Sequence, residues 1–133
     1  MGKIFVDTSA LFALVNAVDG DNLSSQSIWK ELLQDRHELW TNNYIIVECI
    51  SLLQRRLGLE LVRLLESEIL RVLEVEWLDK EHHALAVAEV LQTNRRNLSL
   101  VDCSAFETMR RLEIETAFTF DDHFRAEGFK TIP

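Results

Sequence analysis

Short apolar runs alternate with longer stretches of helical periodicity along the chain, and this alternation restricts the folds that it can adopt. It predicts an α/β fold with a mainly parallel sheet, because parallel strands are joined by helical crossovers. The apolar runs predict strands at residues 3–7, 38–42, 74–78, 116–120 and 129–132. The stretches between them predict helices at residues 9–18, 22–34, 44–56, 60–73, 80–93, 99–112 and 122–126.

Size and composition predict one soluble domain over residues 1–133, with no linker and no second domain. The 133 residues are 47% hydrophobic and 27% charged, and they include one proline and four glycines, which leaves little room for low-complexity segments. No stretch approaches the roughly 18 to 20 uncharged residues of a membrane span. Cys49 and Cys103 lie in apolar helical segments far apart in sequence, which indicates reduced core thiols and a cytoplasmic location.

The formal net charge of −8 argues against nucleic-acid binding over the whole surface. Such binding depends on Lys and Arg side chains that neutralise phosphates. Local basic pairs are nevertheless present, and Arg95 and Arg96 precede the predicted helix 99–112. These two arginines are candidate contacts to nucleic-acid phosphates, and solvated loop residues are the simpler interpretation.

Four acidic residues stand at the edges of apolar runs, where single carboxylates are uncommon. Asp7 and Asp121 follow predicted strands, whereas Glu48 and Asp102 lie near the starts of predicted helices. Ligands of parallel α/β sheets bind outside the carboxyl ends of the strands, near the point where the strand order reverses. We therefore expect the four carboxylates to face one crevice.

Two of these acids also have simpler explanations. Glu48 interrupts an apolar helix that we expect to be buried on most sides, but Ser51 and Arg55 share its face and would form a thin solvated stripe. Ser99 and Asp102 have the spacing of a capping box, in which the serine is the N-cap and the acid lies three residues later. One carboxylate could cap the helix and still point into the crevice.

The other two acids are also next to helix starts. Asp7 precedes Thr8 and could be only an N-cap. Asp121 and Asp122 are adjacent, and either could cap the short helix that follows; we prefer Asp121 for the crevice because it directly follows the apolar run. Thr119 could add a hydroxyl to the site or simply be a strand residue.

A cluster of this kind requires a counter-charge. Two carboxylates about 4 Å apart repel by roughly 4 kcal/mol at an effective dielectric constant of 20. Hard oxygen ligands suit Mg²⁺ or Mn²⁺, and such ions activate water and stabilise charge in phosphoryl transfer. The sequence thus predicts a metal site with Asp7, Glu48, Asp102 and Asp121 as its ligands.

The order and spacing of these motifs resemble those of PIN-domain nucleases, in particular the small stand-alone VapC toxins of toxin-antitoxin pairs. The resemblance covers nearly the whole chain. It rests on residues 4–11, Glu48, residues 98–102 with Ala105 and Phe106, residues 119–124, and Gly128 with Phe129.

The resemblance implies a three-layer α/β/α fold with a parallel sheet of about five strands in the order 3-2-1-4-5. It also implies RNA phosphodiester cleavage at an acidic pocket that binds Mg²⁺ or Mn²⁺, a homodimer, and a small antitoxin protein as partner. Asp7 and Asp102 match the principal metal ligands of the family, and Glu48 and Asp121 match its remaining acids.

The polar residues Thr8, Ser9 and Thr119 match the family's supporting positions. The mechanism implied is metal-assisted in-line attack of water on an RNA phosphate, which leaves a 5′-phosphate and a 3′-hydroxyl. Arg95 and Arg96 match no family motif, so their RNA-binding role remains a hypothesis drawn from charge alone.

Other functions remain open from the sequence. Asp7 could be the nucleophile of an Asp-based phosphatase or phosphotransfer domain, although the haloacid-dehalogenase type would have an acid at the position of Ser9. A receiver domain would use Asp79 but would need an acidic pair near the first strand. A PIN nuclease of RNA processing and a catalytically silent binding module are the remaining alternatives.

Overall fold

The computed structural model describes residues 2–133, which form five strands and seven α-helices. The strands are β1 (Lys3–Val6), β2 (Glu38–Asn42), β3 (Glu74–Glu76), β4 (Thr116–Phe118) and β5 (Lys130–Ile132). The helices are α1 (Thr8–Val15), α2 (Asn22–Gln34), α3 (Asn43–Arg56), α4 (Leu59–Leu64), α5 (Lys80–Thr93), α6 (Leu100–Arg111) and α7 (His123–Ala126).

The strands form one sheet in the order β3-β2-β1-β4-β5, and every neighbouring pair is parallel. In register, Phe5 of β1 lies opposite Trp40 of β2 on one side and Ala117 of β4 on the other. The chain builds outward from β1 to β3 and then returns to β4, so the strand order reverses between β1 and β4. The predicted parallel sheet and its order are confirmed.

The core covers both faces of the sheet. Ile4, Phe5 and Val6 are all buried, and successive strand side chains point to opposite faces, so helices must pack on each side of β1. On one part of this core Phe106 of α6 meets Phe124 of α7 edge to face, with ring centroids 5.1 Å apart. The three-layer α/β/α architecture is thus as predicted.

The two cysteines occupy the interior that the sequence predicts for them. Cys49 and Cys103 are buried and are not disulfide-bonded, and burial raises the pKa of each thiol to about 12. Such thiols are neutral and pack as small apolar side chains. No helix of residues 2–133 is long and apolar enough to cross a membrane.

Two predicted helices differ from the structure. The first ends at Val15 and not at residue 18. The predicted helix 60–73 is not regular, because α4 passes into a π-helical turn (Leu65–Ile69) and then a short 3₁₀ turn (Leu70–Val72). Leu65, Ile69 and Leu70 are buried, and the wider π turn allows this uneven spacing to face the core.

Candidate active site

A cavity of about 430 Å³ opens at the carboxyl edge of the sheet, beside the reversal point between β1 and β4. Asp7, Glu48, Asp102 and Asp121 all line it. They come from the end of β1, from α3, from α6 and from the segment after β4. The fold therefore brings together the four acids that the sequence places far apart.

The start of α1 holds Asp7 in place at the cavity. Asp7 is the N-cap of that helix and is only 4% exposed. Its Oδ2 atom accepts hydrogen bonds from the Ser9 hydroxyl at 2.8 Å, the Thr119 hydroxyl at 2.9 Å and the Ser9 N–H at 3.4 Å. Asp7 is thus both a helix cap and a wall of the cavity.

Burial raises the pKa of Asp7 from its ordinary value of 3.8 to about 6, and the charge of Asp102 adds to the increase. The hydrogen bonds from Ser9 and Thr119 act in the opposite direction and lower the pKa, because they stabilise the ionised carboxylate. Without a bound cation, the carboxyl group of Asp7 is therefore half protonated at about pH 6.

The supporting hydroxyls form one network behind Asp7. Ser9 Oγ lies 3.2 Å from Thr119 Oγ1 and accepts the N–H of Phe120 at 2.9 Å. Thr119 Oγ1 in turn accepts the N–H of Asp121 at 3.0 Å. This network ties the segment after β4 to the start of α1, and it explains why β4 ends at Phe118 and not at the predicted residue 120.

Thr8 differs from its neighbour in having an unused hydroxyl. The residue is 6% exposed and lines the cavity, yet its Oγ1 has no hydrogen-bond partner within the described residues. A buried polar atom without a partner costs free energy unless a ligand or water satisfies it.

Asp102 fulfils both of the roles weighed from the sequence. Its N–H donates to Ser99 Oγ at 3.0 Å, and its Oδ2 accepts the Ser99 N–H at 3.3 Å, so the capping box is formed. Its side chain is also a wall of the cavity. Burial raises its pKa above the usual value, and the nearby Asp121 raises it further; the Ser99 N–H and the charge of His123 oppose this.

Asp121, and not its neighbour, faces the cavity. The side chain of Asp122 is 97% exposed, whereas Asp121 lines the cavity and its Oδ1 accepts the N–H of His123 at 2.9 Å. The imidazole of His123 turns back toward the acids, with Nδ1 3.3 Å from Asp102 Oδ2 and 3.3 Å from Asp121 Oδ1. No metal-binding or catalytic spacing in the sequence singles out His123.

Glu48 also lines the cavity, but it is only half-buried. The expectation that its helix is buried on most sides is wrong, because Val47 is 64% exposed and Ser51 and Arg55 are exposed as well. No ion pair joins Glu48 to Arg55 anywhere in residues 2–133. The place of Glu48 in the site therefore rests on the cavity and not on burial.

The basic residue at the cavity is not one of the predicted pair. Arg95 and Arg96 lie between α5 and α6 and line a separate shallow depression. Among the lining residues that the structure describes, only Arg56, the last residue of α3, is basic. Asp19 and Asp21, from the turn after α1, are further acids at the cavity that the sequence did not indicate.

The donor set suits a divalent cation with hard ligands. Asp102, Asp121 and His123 each offer one ligand atom, and these atoms lie within 4.8 Å of one another. The buried Asp7, with its raised pKa, and the unpartnered Thr8 hydroxyl add to the case, since a cation would hold the carboxylate ionised and its waters could bind the hydroxyl.

Comparison with known proteins identifies the family. The PIN domain matches residues 4–130. The chain belongs to the PIN-domain family. It is 32% identical over 127 residues to the 23S rRNA-specific endonuclease VapC20 of Mycobacterium tuberculosis, in strains CDC 1551/Oshkosh and H37Rv, with 95% of both chains covered.

Solved structures agree with this PIN assignment. The crystal structure of Mycobacterium tuberculosis VapC20, described as a Sarcin-Ricin loop cleaving toxin, matches with a TM-score of 0.82 at 32% identity and 95% coverage of both chains. FitAcB from Neisseria gonorrhoeae matches with a TM-score of 0.70, covering 98% of this chain and 96% of that one. At 14% identity the second match supports the fold alone. The predicted PIN family and VapC type are confirmed, and the dehalogenase-type and receiver alternatives are wrong.

Proposed function

We propose that the acidic cavity is the active site of a metal-dependent ribonuclease, and that the chain is a toxin of the VapC type. One observation carries the proposal. Four carboxylates from four separate elements meet in one cavity, in a PIN-domain chain that is 32% identical to an rRNA endonuclease over nearly its whole length.

The electrostatics of the cavity favour a bound cation. In the metal-free protein the charge of Asp102 raises the pKa of Asp7, and the charge of Asp121 raises the pKa of Asp102, so the site cannot hold all its charges at low cost. We propose that these three acids and Glu48 hold Mg²⁺ or Mn²⁺. The ion would act as a Lewis acid that activates water and offsets phosphate charge.

The residues around the acids orient them for this task. Ser9 and Thr119 fix the Oδ2 atom of Asp7, and the backbone N–H of Ser99 holds Oδ2 of Asp102. Such contacts set the direction of a ligand and tune its basicity. The expected reaction is in-line hydrolysis of an RNA phosphodiester that leaves a 5′-phosphate and a 3′-hydroxyl.

The cavity walls offer contacts to a single-stranded nucleotide. Arg56 supplies a positive charge among lining residues that are otherwise mostly acidic, aromatic or hydroxyl-bearing. Phe12 and Phe120 also line the cavity, and aromatic side chains stack on unpaired bases. Arg95 and Arg96, which lie outside the cavity, are proposed as more distant phosphate contacts.

The toxin assignment brings proposed partners with it. An acidic cavity in a chain of net charge −8 suits an antitoxin whose basic tail enters the groove, because opposite charges steer association. A homodimer and a cytoplasmic location are proposed from the VapC resemblance. VapC20 is named for its action on 23S rRNA, so ribosomal RNA is the first substrate to test.

The decisive experiment measures cleavage of ribosomal RNA by purified protein in Mg²⁺, in Mn²⁺ and in chelator. Wild type and Asp122→Asn, which alters an exposed acid, should cut in metal and stop in chelator. Asp7→Asn should lose about 100-fold or more of the rate, because it removes a negative ligand from the cation. Equal cutting by Asp7→Asn, or undiminished cutting in chelator, would contradict the mechanism.

A further inference from the structure

His123 stands closer to two of the acids than any feature of the sequence suggested. Its Nδ1 lies 3.3 Å from both Asp102 Oδ2 and Asp121 Oδ1. The backbone N–H of the same residue donates to Asp121 at 2.9 Å, so the ring is tethered beside the acids at the start of α7. The imidazole thus lies against two acids that line the cavity.

The contact lacks the geometry of an ordinary hydrogen bond. Nδ1 is buried and has no hydrogen-bond partner within residues 2–133, although two carboxylate oxygens lie at 3.3 Å. Ligand atoms about 2.1 Å from a shared cation are separated by about 3.0 to 3.4 Å at square or tetrahedral angles. The observed spacing fits atoms that share an ion better than atoms that share a proton.

We propose that His123 is a direct ligand of the catalytic cation, through Nδ1, and that it makes the site prefer Mn²⁺ to Mg²⁺. This inference rests on the proposed function and adds a nitrogen to its all-oxygen ligand set. Mg²⁺ favours oxygen ligands and water, whereas imidazole nitrogen suits transition-metal ions such as Mn²⁺. The three atoms of Asp102, Asp121 and His123, all within 4.8 Å of one another, form the centre of the site.

The opposite role for His123 makes a different prediction. A protonated imidazole between Asp102 and Asp121 would neutralise them and occupy the place of the cation. Removing that positive charge would strengthen binding of both Mn²⁺ and Mg²⁺, because the two carboxylates would regain their full attraction for a cation. Loss of His123 therefore weakens Mn²⁺ binding if the imidazole is a ligand and strengthens it if the imidazole is a counter-charge.

Two variants separate the ligand from the fold. His123→Asn retains a short side chain with an oxygen near the position of Nδ1, and His123→Ala removes the ligand altogether. Both retain the backbone N–H that donates to Asp121, so the start of α7 stays anchored. His37→Ala is the matched control, since His37 precedes β2 at the opposite, amino edge of the sheet.

The experiment measures binding of Mn²⁺ and Mg²⁺ by calorimetry and the nitrogen coupling of bound Mn²⁺ by electron spin echo spectroscopy. Wild type and His37→Ala should bind Mn²⁺ more tightly than Mg²⁺ and show modulation from a coordinated ¹⁴N nucleus. His123→Asn should lose that modulation and about tenfold in Mn²⁺ affinity, with a change of less than about threefold for Mg²⁺.

Three results would overturn the inference. The first is that Mn²⁺ bound to wild type shows no nitrogen modulation. The second is that His123→Asn prefers Mn²⁺ to Mg²⁺ as strongly as wild type does. The third is that His123→Ala binds both ions more tightly than wild type. If wild type cleaves RNA in metal and any of these results is found, the proposed ribonuclease function stands. Only the proposal that His123 is a metal ligand is then contradicted. Wild type that binds neither ion and leaves RNA intact contradicts both.

Discussion

The hydroxyl of Thr119 donates a 2.9 Å hydrogen bond to Oδ2 of Asp7, and the two residues are 112 positions apart in the sequence. They follow adjacent parallel strands, β4 and β1. The same hydroxyl accepts the N–H of Asp121, so one side chain orients an acid on each side of the strand reversal. The topology of the sheet thus assembles the site, and Thr119 links the two acids that flank the strand reversal.

Thr119→Val should weaken both the fold and the site. Valine keeps the shape of threonine but leaves the N–H of Asp121 and the Oδ2 of Asp7 each without one partner, which costs about 1 to 3 kcal/mol of unfolding free energy. It should also raise the pKa of Asp7 further, because a hydrogen bond that lowers it is lost. Denaturant unfolding at neutral pH would measure the first effect, and the pH dependence of unfolding in chelator would measure the second.

Thr116→Val is the control for that change. Thr116 is the first residue of β4, the strand that Thr119 follows, and valine suits a strand at least as well as threonine. Its unfolding free energy and pH profile should match those of wild type. A Thr119→Val protein with the wild-type pH profile would show that Thr119 does not tune Asp7.

The buried Asp7 should make the metal-free protein less stable as pH rises. Its pKa is about 6 in the fold against 3.8 ordinarily, so the folded state binds the proton more tightly than the unfolded state does. The stabilisation is complete below the unfolded pKa and is lost as pH rises from about 4 through about 6. The full difference corresponds to about 3 kcal/mol.

Asp7→Asn removes this titration. In chelator, it should be more stable than wild type by about 3 kcal/mol at pH 8 and by only about 1 kcal/mol at pH 4.5. Chemical denaturation at the two pH values measures the difference, with the exposed Asp122→Asn as control. An advantage of Asp7→Asn that is the same at both pH values would mean that Asp7 does not titrate between them.

Glu48→Gln should affect activity far more than stability. Glu48 is half-buried on α3 and touches the cavity, so loss of its charge should change the unfolding free energy by about 0.5 kcal/mol or less. Loss of a cation-binding acid should lower cleavage by about tenfold or more. Glu31→Gln, at an exposed position of α2, should leave both quantities unchanged, and comparable rates for the two variants would remove Glu48 from the site.

The strand ends and helix starts explain how far the sequence could predict this site. An acid that directly follows an apolar strand, as Asp7 does, must lie at the carboxyl edge of a parallel sheet, and the Ser99 capping box places Asp102 at a helix start. Both inferences use neighbours in the sequence. With the predicted sheet order, these two inferences place both acids at one edge of the sheet. The structure has that order.

The features that the sequence did not reveal depend on contacts between distant segments. His123 reaches Asp102 only through the path of the chain after β4, and Arg56 reaches the cavity only through the rotation of α3 over its 14 residues. The irregular segment after α4 follows from burial of Leu65 and Ile69, which local helix propensity does not encode. Tertiary packing decides all three.

The arginines near the cavity give a prediction about RNA binding. Among the described residues that line the cavity, Arg56 is the basic one. Arg95 and Arg96 line another depression. Arg56→Ala should therefore weaken RNA binding and reduce the slope of log affinity against log salt by about 0.7 to 1, the value for one lost phosphate contact. Both quantities are measured by adding each arginine change to the Asp7→Asn protein, which should cut bound RNA about 100-fold more slowly than wild type.

Arg95→Ala combined with Arg96→Ala tests the prediction made from charge alone. If these arginines are distant phosphate contacts, the double variant should reduce the salt slope without lowering the cleavage rate at saturating RNA, because neither side chain touches the acids. Arg56→Ala should lower that rate as well, since a phosphate held at the cavity rim is positioned for attack. A loss of salt slope in the double variant with none in Arg56→Ala would place the RNA path over the α5–α6 loop and away from the end of α3.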